Sequence, residues 1–98
     1  MAGTPERTSL GLAVQSLTPR VVRELGVPDT HGVLVRGVED SSRASNAGLR
    51  PGDVIVEIDR QPIESAADFE RSVSEHRPGP PILMLVYRNG QSLFVAVG

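Results

Sequence analysis

The chain has 98 residues, the size of one domain, and its two Phe and one Tyr leave Val, Leu, Ile and Ala to build the core. Its formal net charge is -2, and its ten cations, all arginine, are spread singly from Arg7 to Arg88. There is no basic stripe for nucleic acid or for a polybasic membrane contact, and the absence of cysteine removes disulfides, thiolate metal sites and a cysteine nucleophile.

Residues 1–8 are polar, lack the apolar stretch of a signal peptide and read as a linker or chain start. Residues 9–98 read as a single domain. No run approaches the roughly 20 apolar residues of a membrane span, so direct membrane insertion is not expected.

The domain opens on Ser9 to Ser16, where a glycine stands between two leucines and leads into alternating apolar and polar residues. This predicts a turn feeding a strand, with Leu12 and Val14 on one face and Ala13 and Gln15 on the other. Gly11 can adopt a positive φ that lets consecutive backbone N–H groups converge on an anion. An ordinary strand entry fits the same residues equally well.

Thr18 and Pro19 read as an N-cap and first helical residue, with Gly26 as the stop, giving a short helix over Pro19 to Leu25 that buries Val22 and Leu25. Gly32 to Val38 reads as a strand buried on both faces. Glu39 to Ser42 caps a brief helix carrying Ala44 and Ala47, closed by Gly48 and stopped by Pro51. Val54 to Ile58 forms the next strand. Ser65, with Asp68 three residues on, starts a longer helix that runs to about His76 and places Ala66, Phe69 and Val73 on one face. Pro81 to Arg88 and Gln91 to Val97 flank Asn89 and Gly90, a hairpin turn.

The order predicts an α+β fold, a partly open antiparallel barrel of five to six strands capped by one longer and two short helices. No Gly-x-Ser-x-Gly elbow and no phosphate-binding glycine loop occur, so no catalytic residue is assigned. His31 and His76 read as surface residues. Glu39, Asp40, Asp53, Glu57 and Asp59 lack calcium-loop spacing and read as caps and solvated strand faces, so neither a metal nor a cofactor is expected.

With these elements placed, the chain resembles a PDZ domain of the bacterial type, most closely that of the HtrA/Deg-family trypsin-like serine proteases. Leu10 to Leu12 resembles that family's carboxylate-binding loop, Ala47 to Ile55 its turn and strand, and Pro62 to Val73 its groove helix. The resemblance implies that the amides of Leu10, Gly11 and Leu12 receive a peptide's terminal carboxylate. It implies that Leu12, Ala13, Val14 and Gln15 supply an edge for strand addition. Ala66, Phe69 and Val73 would line the opposite wall, with Leu10, Leu12 and Val14 completing an apolar slot.

Ser65 and Ala66 stand where many eukaryotic members of the family carry a histidine, which implies peptides ending in a small or medium apolar residue. The implied partners are C-terminal or unfolded peptide segments and an attached protease domain, in a periplasmic or cell-envelope setting. An assembly element with an occluded groove, or a site-2-type or C-terminal-processing protease or secretion component as host, is the alternative.

Overall fold

Each helix begins at a hydroxyl that accepts one of the backbone N–H groups a helix start leaves without a partner. The computed structural model describes residues 6–7, 10–26 and 31–98, with residues 6, 7 and 25 described by their main chain. Thr18 Oγ1 accepts from the Val21 N–H at 3.3 Å, Ser42 Oγ from Ser45 at 3.1 Å and Ser65 Oγ from Asp68 at 3.1 Å. Each such cap contributes about 1 kcal/mol. They start α1 (Pro19–Leu25), α2 (Arg43–Ala47) and α3 (Ala66–Glu75). Gly26 and Gly48 close the first two in the left-handed region, as the sequence predicts.

The strands are β1 (Glu6–Arg7), β2 (Leu12–Ser16), β3 (Val33–Val38), β4 (Val54–Ile58), β5 (Gln61–Pro62), β6 (Ile82–Arg88) and β7 (Gln91–Val97). They form one antiparallel sheet in the order β1-β2-β3-β4-β6-β7, with β5 paired to β4, and the sheet stays open. Asn89 and Gly90 both have positive φ, the two-residue turn that matches strand twist, and set Arg88 opposite Gln91. β1 falls in the segment read from the sequence as a linker.

The main core lies between the sheet and α3, where Leu12, Val14, Ile55, Phe69, Met84 and Val86 have no exposed surface. α3 presents Ala66, Phe69 and Val73 to it and packs against β2 and β4. A smaller cluster on the other face joins Leu34 and Val54 to Leu17, Val21, Val56 and Tyr87. This explains why β3 is apolar on both faces. α1 packs Val21 there, a contact the sequence reading did not include; Val22 is half-buried as well, and the Leu25 side chain lies outside the described residues.

Two side chains depart from the sequence reading. Asp53 is not a solvated acid; it is buried, and its carboxylate is gripped by Arg88 from 35 residues away, with Nε to Oδ1 at 2.7 Å and Nη2 to Oδ2 at 2.6 Å. It also accepts from the Arg50 N–H at 3.0 Å, while Arg88 reaches the Gly48 carbonyl at 2.9 Å. A carboxylate leaves water only when its oxygens are paired, and here they are.

His76 is not a free surface residue either. Its side chain is 11% exposed, with Nδ1 2.5 Å from Asp59 Oδ2 and Nε2 2.8 Å from the Pro80 carbonyl. Asp59 Oδ1 in turn accepts from the Leu83 N–H at 3.1 Å. The end of α3 is thereby tied to the turn after β4.

Candidate functional site

The site begins with two carbonyls. The Ala44 N–H donates to the Leu10 carbonyl at 3.1 Å, and the Glu39 N–H donates to the Gly11 carbonyl at 2.8 Å. In a trans peptide the N–H of the next residue points opposite to the carbonyl, and no cis bond is present among the described residues. The N–H groups of Gly11 and Leu12 are therefore aimed away from α2 and from the segment that leads into it. Gly11 holds φ at +86°, and a Cβ there would strike Ser42. The turn needs glycine for both reasons.

The same bonds fix which way β2 faces. Leu12 lies opposite Val38, yet the bond is made by the flanking residues Gly11 and Glu39, so Leu12 and Val38 are a non-hydrogen-bonded pair. The N–H and C=O of Leu12 then point to the edge away from β3. At the other end the Leu17 N–H reaches the Gly32 carbonyl at 3.4 Å, flanking the pair of Ser16 with Val33, and Ser16 faces that edge too. Val14, midway, does the same by the two-residue period. Three residues thus turn their main-chain donors and acceptors away from β3, beginning beside the aimed amides of Gly11 and Leu12, and β1 pairs with the middle one, Val14.

α3 stands along this edge and is held at both ends. Its first N–H, that of Ala66, donates to Ser16 Oγ at 2.8 Å, and His76 anchors its last turn. Leu10, Leu12, Val14, Ala66 and Phe69 are buried in the main core cluster, and half-buried Val73 packs against it. Ala13 and Gln15 divide from this set. They turn their main-chain groups to β3 and their side chains to the outer face, so they border the edge without offering it hydrogen bonds.

Sequence reasoning missed the Ser16 tie, whose only trace is a hydroxyl at the end of a strand. It also missed β1, which pairs with Ala13 and Val14. Among the described residues there is no cluster of His, Asp or Glu that could hold a metal ion, and no helix long and apolar enough to cross a membrane.

An antiparallel sheet edge flanked by a helix and headed by outward amides is the architecture of a module that accepts an extended peptide as an added strand. A model of the PDZ domain family matches residues 8–98, and the chain belongs to that family. It is 34% identical over 89 residues to a probable periplasmic serine endoprotease DegP-like of Chlamydia pneumoniae, covering 90% of this chain and 18% of that protein. It is 35% identical over 89 residues to the magnetosome formation protease MamE of Paramagnetospirillum magneticum, covering 91% of this chain and 12% of that protein. The chain thus spans less than a fifth of these relatives.

Among solved structures, the HtrA-type protease AlgW with a decapeptide aligns at TM-score 0.76 and 39% identity, over 92% of this chain and 28% of that one. The HtrA3 PDZ domain bound to the phage-derived ligand FGRWV aligns at TM-score 0.78 over 91% of this chain and 81% of that one; at 24% identity it shows the fold alone. The chain is a PDZ domain, the non-catalytic part of proteases of this class, and the catalytic domain is not in it.

Proposed function

We propose that this domain captures C-terminal or exposed apolar segments of other proteins by strand addition to β2, and serves as the substrate-recognition or regulatory module of an attached HtrA-like serine protease in the periplasm. The observation that carries this reading is the common direction of the main-chain groups: Leu12, Val14 and Ser16 face one edge, and the Gly11 and Leu12 amides stand at its head. The terminal carboxylate would accept from Leu10, Gly11 and Leu12, and the last side chain would enter between Leu10, Leu12, Phe69 and Val73. The named relatives and the decapeptide-bound AlgW structure support it.

Main-chain bonds plus one buried side chain correspond to micromolar affinity, about -8 kcal/mol. Calorimetry with a short peptide ending in valine tests this. The free acid is expected to bind and the C-terminal amide to bind at least tenfold more weakly, because the amide cannot present an anion to the loop. Equal binding of the two would contradict the assignment. The burial of Leu12, Val14 and Phe69 favours a second reading, an assembly element whose groove is covered, for which no such peptide would bind.

A further inference from the structure

The strand order gives β2 one neighbour on each side: β3 on one, β1 on the other. β1 therefore lies on the edge to which a ligand would add. It pairs antiparallel, Glu6 opposite Val14 and Arg7 opposite Ala13. A peptide whose carboxylate sits at the head of β2 must also run antiparallel. β1 follows the same direction along the same edge.

The register coincides too. A peptide whose last residue pairs with Leu12 sets its third-last residue opposite Val14, which is where Glu6 lies. Val14 turns its N–H and C=O outward, and the residue opposite such a position exchanges both bonds with it. Glu6 thus uses the main-chain groups that the ligand's third-last residue requires.

Resting on the peptide-binding reading above, we propose that β1 is a built-in occupant of the groove, which a C-terminal peptide must displace to bind. The chain continues past Arg7 toward Leu10, so this occupant has no terminal carboxylate to offer the Gly11 and Leu12 amides. A free C-terminus gains charge-assisted bonds that the occupant lacks. Internal segments gain none, and the occupant excludes them more effectively. Apparent affinity falls by the fraction of molecules whose edge is open, so a groove open one tenth of the time binds about tenfold more weakly.

The test uses the double variant E6P/R7P, which removes both N–H donors of β1, and E6G/R7G, which weakens the strand without a ring. Two quantities are read: exchange of the Val14 amide without peptide, and affinity for the free-acid peptide ending in valine. The proposal expects faster Val14 exchange in both variants and affinity raised about three- to tenfold. Unchanged Val14 exchange, or faster exchange with unchanged affinity, overturns it. If neither the parent chain nor the variants bind the peptide, the groove reading itself fails and the competition fails with it, while Val14 exchange still reports whether β1 pairs.

Discussion

Arg88 grips Asp53 with two parallel hydrogen bonds of 2.7 and 2.6 Å, joining the start of β4 to the end of β6. Both ends of this pair reach further, to the Arg50 N–H and the Gly48 carbonyl, so it also fixes the turn that follows α2. α2 in turn supplies the Ala44 N–H that orients the Leu10 carbonyl. The pair supports the site through this chain of bonds.

Removing one partner strands the other. Arg88→Ala leaves a buried carboxylate without its cation and is expected to cost about 3 kcal/mol, the lower end for breaking a buried pair because Arg88 keeps some exposure. Arg88→Lys should recover only part of this, since an ammonium cannot form the fork. Midpoints of urea unfolding check both; a loss below about 1 kcal/mol for the alanine variant would show that the pair is structurally idle.

Gly11→Ala introduces a Cβ at φ +86°, a conformation that costs L-residues about 1–2 kcal/mol, and drives it against Ser42. The α2 N-cap must shift to make room, and the loop amides shift with it. The expected result is destabilisation by at least about 2 kcal/mol together with loss of free-acid peptide binding. Unfolding and calorimetry measure the two separately.

His76 makes stability depend on pH. Its two ring nitrogens face the Pro80 carbonyl and the Asp59 carboxylate, both acceptors, and only the imidazolium can donate to both. The Pro80 carbonyl first, and the Asp59 carboxylate next, hold the His76 pKa above its ordinary 6.5. The folded pKa exceeds the unfolded one, so this stabilisation is complete below about pH 6.5 and is lost as pH rises through the raised folded value. Stability followed from pH 5 to pH 9 should fall through that window, and His76→Gln should flatten the fall. An identical profile in the variant would refute the clamp.

Much of this was legible in the chain itself. Thr18, Ser42 and Ser65 announce their helices through local hydrogen bonds, Asn89 and Gly90 announce their hairpin through backbone preference, and the glycine between Leu10 and Leu12 marks the loop. These are effects of short range. Asp53 and Arg88 meet across 35 residues, His76 and Asp59 across 17, and no spacing rule connects them. β1 carries no signal because two residues cannot show a period and their pairing depends on main-chain groups alone. The direction of β2 was equally hidden, since either edge suits the pattern of Leu12 to Ser16 until Glu39 and Leu17 are seen to take the β3 side.

In the proposed function the Gly11 and Leu12 amides, followed by Val14, form the head of a peptide-binding edge. Amide chemical shifts of the isotope-labelled chain, followed while a valine-ending free-acid peptide is added, test it most directly. The largest changes are predicted at Gly11, Leu12 and Val14, with the C-terminally amidated peptide failing to produce those at Gly11 and Leu12. Shifts confined to other parts of the sheet, or the same shifts from both peptides, would contradict it.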